Sequence, residues 1–167
     1  AYGRDGDTLY LHGSSGARYL AGDALPCCVT VTHLDGIVHA RALMHFSMNY
    51  RSAVVHGTAR RVTGDDEREH ALRVIVEHLA PGAWSHARRP DRRELAATAV
   101  FALDLGEASV KTRSGPPSDD DADVAAGLAW AGVVPLRTVA GAPEPAPALR
   151  GEPRVPAHVR DARHTDG

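Results

Sequence analysis

The stretch Cys27-Cys28-Val29-Thr30-Val31-Thr32-His33-Leu34-Asp35-Gly36-Ile37-Val38 decides the architecture. Its first six residues are rich in β-branched side chains, and a period of two puts Cys27, Val29 and Val31 on one face of a strand. Asp35-Gly36 has the chemistry of a tight hairpin turn, so Ile37 to Phe46 reads as the returning strand. After Ser47-Met48-Asn49-Tyr50 the segment Arg51 to Val62 alternates again, with Val54 on one face and Ala53, Val55 and Ala59 on the other. Three strands in series predict an antiparallel meander.

Upstream, residues 3 to 7 read as a turn and Thr8 to His12 as a short strand. The polar loop Gly13-Ser14-Ser15-Gly16 ends that strand, and a short helix from Ala17 to Ala21 follows. Downstream, the Thr63 hydroxyl is placed to cap a helix whose first turn is acidic and whose Leu72, Ile75, Val76 and Leu79 form an apolar stripe, stopped by Pro81-Gly82. Residues 83 to 97 are basic and irregular, with helical character around Arg92 to Ala97. Thr98 to Leu105 reads as a strand that continues after Gly106 towards Thr112. Asp119 to Trp130 reads as a second amphipathic helix, and Ala131 to Val139 as extended. Beyond Gly141 the chain is rich in Pro and Ala with few large apolar groups, which predicts a disordered tail over residues 141–167 behind one domain over residues 1–140. No regular βαβ alternation occurs, so the fold class is mainly β with flanking helices (α+β), a small antiparallel barrel and not a doubly wound sheet.

Nineteen basic and twenty-one acidic side chains in 167 residues give a formal charge of −2. That balance creates no global field for nucleic acid or an anionic membrane, and any anion site must be local. Only two cysteines occur, at the adjacent positions 27 and 28. Side chains at adjacent strand positions diverge, and this usage fits a reducing compartment. No apolar run approaches the ~18 residues of a membrane span, and the expected location is cytoplasmic. The chain opens on Ala1-Tyr2-Gly3 without an initiator Met, which reads as a truncated or processed start.

Three segments carry groups capable of holding a ligand. In Tyr10-Leu11-His12-Gly13-Ser14-Ser15-Gly16-Ala17-Arg18, hydroxyls, loop amides and a forked cation have the chemistry of a phosphate grip, with an ordinary solvated turn as the competing reading. Asn49-Tyr50-Arg51-Ser52 sets four hydrogen-bonding side chains at the start of a strand, where they would suit the edge of a planar heterocycle or simply a turn. Lys111 and Arg113, two apart, share a strand face that serves either an anion or a solvated sheet edge. Ten histidines show no ligand spacing for zinc, so no metal site is expected. His45, just before Asn49, is the candidate acid or base. There is no nucleophile elbow, phosphate loop of the nucleoside triphosphatase type or dinucleotide glycine fingerprint.

Taken in order, Tyr10 to Ser14, Met48 to Gly57, Val110-Lys111-Thr112-Arg113-Ser114-Gly115-Pro116-Pro117 and Trp130-Ala131-Gly132-Val133-Val134-Pro135-Leu136 resemble the pyridoxamine 5′-phosphate oxidase-like split barrels, in the flavin-nucleotide-binding branch near the nitroimidazole-resistance proteins. The resemblance implies a homodimeric split β-barrel with FMN at the subunit interface. It implies that Ser14, Ser15 and Arg18 lie at the flavin phosphate, that Asn49, Arg51 and Ser52 lie near the ring or the partner, and that His12 and Lys111 also bind the cofactor. Trp130 would sit in a closing motif near the opposite protomer's site. Ala17 stands where many relatives have a hydroxyl or a second cation. It also implies a helix and two strands ahead of Tyr2-Gly3, hence a barrel incomplete at its N-terminus and weakened flavin binding. The implied function is an FMN-dependent oxidoreductase, with a nicotinamide nucleotide as donor and a small planar acceptor. The alternative is a non-catalytic module that binds FMN, pyridoxal phosphate or haem.

Overall fold

A computed structural model describes residues 1–151 and 154–161. Seven strands form a mainly antiparallel sheet: β1 (Tyr2–Asp5), β2 (Thr8–Ser14), β3 (Ala24–His39), β4 (Ser47–Arg61), β5 (Thr98–Asp104), β6 (Ala108–Arg113) and β7 (Gly132–Pro135). Their order is β1-β2-β5-β4-β3-β7, with β6 paired to β4. Five helices accompany them: α1 (Asp65–Leu79), α2 (Ala83–His86), α3 (Arg92–Ala96), α4 (Asp121–Ala126) and α5 (Ala157–Arg160). This is the expected fold class, a split barrel. Among the described residues, 1–27, 56–107 and those from 139 onward form one compact unit and residues 28–55 and 108–138 a second.

In the first unit α1 packs across β1 and β2. Tyr10, Val100 and Ala102 from the strands meet Val62, Ala71 and Ile75 in one buried cluster, with Leu72 and Val74 at its margin. The opposite face of the same strands carries Leu9, Ala99, Phe101 and Leu103, all buried. β5 is therefore apolar on both faces, as a central strand requires. Helix α1 begins at Gly64 without a side-chain cap, so the Thr63 capping expectation fails; Asp65, Asp66 and Glu67 in the first turn complement the helix dipole instead. Leu79, the last residue of the helix, is also exposed, although it follows Ala71 and Ile75 on the same face.

The segment expected to turn at residues 3 to 7 is mostly strand. Tyr2 to Asp5 pairs with Leu11 to Thr8. Gly3 is there because β1 and α1 touch backbone to backbone: a Cβ at this position would lie 2.7 Å from Ile75 N. Gly3→Ala is expected to cost about 1–3 kcal/mol through overpacking, read as a lower urea midpoint; an unchanged midpoint would show that the two backbones can separate freely.

The second unit corrects the deciding stretch. β3 does not turn at Asp35-Gly36 but runs on to His39, and residues 36–39 pair with 135–132 of β7. Gly36 is absent from the glycines with positive φ, so no turn geometry is involved. Glycine serves close approach here, because a Cβ would lie 2.8 Å from Val133 Cγ1. The alternation expected for Cys27, Val29 and Val31 is present, each partly buried between exposed neighbours. The strand expected over Ile37 to Phe46 gives way to a 3-10 turn over Leu43–His45. The strand expected to continue from β5 is a separate one, β6, which pairs with β4. Helix α4 covers Asp121–Ala126, shorter than the expected 119 to 130.

Part of the expected disordered tail, residues 152–153 and 162–167, lies outside the described residues. Among the described ones, α5 brings the His158 ring to 4.9 Å from that of His86. No helix among the described residues is long and apolar enough to cross a membrane.

Candidate functional site

The expected ligand-holding residues fall in both compact units. In the first, β2 ends at Ser14 directly opposite Thr98, so these two side chains leave the sheet on the same face. The chain then folds back on itself. Gly16 N donates to Ser14 Oγ at 3.2 Å, Ala17 N to the Ser14 carbonyl at 3.0 Å and Ser15 N to the Ala97 carbonyl at 2.9 Å. The Ser15 hydroxyl donates to the Ala96 carbonyl at 3.0 Å. The amides of residues 15 to 17 are thus internally engaged, contrary to the reading of a loop with free amides. The Ser14 hydroxyl and Arg18 carry what anion-binding chemistry the loop retains. Arg18 is exposed and has no ion pair among the described residues. His12, two residues before Ser14, projects on the same face. Its pKa lies below the ordinary 6.5, chiefly because surrounding protein desolvates the imidazolium.

Arg61 holds this loop in place, and the sequence reading missed it. Its Nε donates to the Gly22 carbonyl at 3.0 Å, another guanidinium nitrogen donates to the Leu20 carbonyl, and its backbone amide donates to the Asp23 carbonyl at 2.8 Å. The guanidinium lies 4.9 Å from the centroid of the Phe101 ring. Leu20 is buried beneath Gly13. The available signal was period two: Arg60 and Arg61 must leave β4 on opposite faces, and only one of them can be solvated.

In the second unit Asn49 is buried and used at both ends. Its Nδ2 donates to the Gly115 carbonyl at 3.1 Å, while Arg113 donates to its Oδ1 at 2.5 Å. Arg51 makes two bonds of 3.1 Å to Asp35, and that guanidinium holds the Asp35 carboxyl below the usual carboxylate range. Ser52 and Thr32 hydroxyls lie 2.9 Å apart. Three of the four residues expected at the heterocycle thus make protein contacts. Lys111 is exposed on β6.

Trp130 and Phe46 both pack edge-on against His39, at 5.7 and 5.4 Å between ring centroids. His45 ends the 3-10 turn with its Nδ1 buried and lacking a hydrogen-bond partner among the described residues. Near it, Asp119 accepts from the Arg41 backbone amide at 2.9 Å and from the Arg41 guanidinium at 2.7 Å. The backbone bond is the largest cause of a lowered Asp119 pKa. No group of three or more metal-ligating side chains occurs among the described residues.

A cleft of about 300 Å3 in the first unit is lined by Leu72, Val76, Trp84, Arg89 and Leu95 and reaches Thr98. Its rim is braced by Glu94, which accepts two bonds from Arg88 at 3.0 and 2.6 Å and one from the Asp91 amide at 2.8 Å in a capping box. Those bonds, Arg88 first, hold the Glu94 pKa down to about 2. A depressed carboxylate pKa contributes stability above its ordinary value of 4.5, and that contribution is lost as pH falls towards 2. Glu94→Gln is therefore expected to flatten the decline of the thermal midpoint between pH 5 and pH 2.5. A decline identical to that of the parent chain would show that the pair contributes nothing.

A family model described as pyridoxamine 5′-phosphate oxidase matches residues 1–112. No curated protein matches. Among solved structures, the FAD and heme binding protein from Mycobacterium smegmatis is 41% identical, with a TM-score of 0.91 over 97% of this chain and 80% of its own. The flavocytochrome Anf3 from Azotobacter vinelandii is 38% identical, with a TM-score of 0.85 over 96% of this chain and 75% of its own.

Proposed function

The chain belongs to the pyridoxamine 5′-phosphate oxidase family, and from that premise we propose that it is a flavin-dependent redox protein that binds FAD. The observation that carries this reading is the 41% identity, across 97% of the chain, to a protein whose name states that it binds FAD and heme. FMN, the flavin implied by the sequence resemblance, is the mononucleotide version of the same reading. The 5′-phosphate of the flavin lies against the Ser14 hydroxyl and the Arg18 guanidinium, supported by the lack of any ion pair at Arg18 among the described residues. When bound, the flavin supplies electron transfer to a small planar acceptor, with a nicotinamide nucleotide as donor. The chain's own residues bind and orient it: Arg61 fixes the loop that carries Arg18.

A second copy of the chain completes the site. Leu43, Met44, Leu128 and Trp130 are exposed by 87%, 91%, 92% and 67% in the isolated chain. Apolar exposure on that scale favours an interface. Haem is a second ligand to consider, because both relatives carry it in name as heme or cytochrome. His39, set between the Phe46 and Trp130 rings, has the apolar surroundings a porphyrin requires.

The test is an absorbance series on purified protein loaded with FAD, FMN or haem and then given NADPH. A flavin band bleached by NADPH supports the redox reading, and a Soret band supports haem. Protein that takes up no flavin would overturn it.

A further inference from the structure

We infer that the Trp84–Arg89 cleft holds the adenosine monophosphate half of FAD, so that this chain is built for a dinucleotide flavin. The inference rests on the flavin reading above. It begins from connectivity within the first unit. Thr98, part of the cleft wall, is the cross-strand partner of Ser14 and projects on the same face. Ser15 is bonded to the carbonyls of Ala96 and Ala97 at the end of α3, the helix whose Glu94 and Leu95 form another wall. A phosphate held by the Ser14 hydroxyl, on the Thr98 face, would therefore lie towards the mouth of this cleft. A flavin mononucleotide ends at that phosphate. A dinucleotide continues beyond it.

The lining fits that continuation. Leu72, Val76 and Leu95 give an apolar floor, and about 300 Å3 is at the lower end for small-molecule sites, enough for a base rather than a whole cofactor. The Arg89 guanidinium sits 4.4 Å from the Trp84 ring centroid. Indole and guanidinium planes are the surfaces on which a purine stacks. Over residues 88–94, Arg88, Arg89, Arg92 and Arg93 face only Asp91 and Glu94. Glu94 is neutralised by Arg88 and Asp91 caps α3, whereas Arg89 has no ion pair among the described residues. The excess charge suits a pyrophosphate crossing the rim.

An adenosine phosphate group could also come from a nicotinamide nucleotide, and the experiment separates the two sources. FAD, FMN and NADPH are titrated against the parent chain, Trp84→Ala and Arg89→Ala, with far-UV circular dichroism confirming that the variants fold. Arg89 is exposed, so its variant remains informative even if Trp84→Ala loses structure. Both variants are expected to weaken FAD roughly 10-fold or more while FMN affinity stays within about 2-fold, as expected for losing a stacking partner. Equal weakening of FAD and FMN, or no weakening of either, overturns the inference and leaves flavin binding intact. So does a loss confined to NADPH on FMN-loaded protein. If the parent chain binds neither flavin, the functional reading falls, and the inference with it.

Discussion

Phe101→Ala is expected to lower the unfolding free energy by about 3–5 kcal/mol, the usual cost of emptying a buried aromatic site. Phe101 is 1% exposed and among the largest fully buried side chains. It sits mid-way along β5, opposite Leu11 of β2 and Arg61 of β4. Two losses coincide there. The cavity opens where three strands meet, and the Arg61 guanidinium loses the ring beneath it while still holding the carbonyls of Leu20 and Gly22. The damage should therefore reach the loop carrying Arg18. Urea unfolding measures the first effect, and flavin titration of the folded fraction the second. Phe101→Leu, which keeps most of the volume, should cost much less. A small loss for the alanine variant would mean that this face of the sheet is not a close-packed core.

Arg18→Ala is expected to weaken both FAD and FMN by about 1.5–3 kcal/mol, or roughly 10- to 150-fold, the range for removing a hydrogen bond to a charged group. Riboflavin, which lacks the phosphate, should bind the variant as it binds the parent chain. Arg18→Lys should restore part of the loss, because it returns the charge without the fork. Stability should hardly change, since Arg18 is exposed and makes no ion pair among the described residues. Equal loss of riboflavin affinity would place Arg18 at the ring or in the fold, and no loss would remove it from the site.

The fold class was legible because period-two patterning survives wherever one face of a strand is buried. Cys27, Val29 and Val31 followed it, and the strand expected at Thr8 is present too, with Leu9 and Tyr10 buried on its two faces. The errors have physical causes. Asp35-Gly36 has turn chemistry, but whether a glycine is chosen for φ or for close approach depends on a neighbour, here Val133, nearly one hundred positions away. β1 was missed because Gly3 reads as punctuation until α1 is seen against it. The α1 stripe was right at Leu72, Ile75 and Val76, which are buried or half-buried, but it missed Ala71, too small to stand out in a sequence, and wrongly included Leu79, which is exposed at the helix end.

The candidate site was legible only as a set of residue types. Asn49 and Arg51 are good hydrogen-bonding groups, yet their partners Gly115 and Asp35 lie elsewhere in the sequence, and only the structure shows them engaged. Ser14 and Arg18 are the residues whose chemistry stays open. Trp84 and Arg89 lie in a segment read as irregular and basic, and their guanidinium-over-indole contact appears only once α2 and the loop after it are folded.

The central claim is that this chain holds a flavin through its phosphate at Ser14 and Arg18. Its most direct measurement is the flavin absorbance that stays with the protein after loading with FAD and gel filtration. The account predicts stoichiometric flavin on the parent chain and a clear deficit on Arg18→Ala. Parent protein that emerges without flavin, or an Arg18→Ala variant that retains as much as the parent, would contradict it.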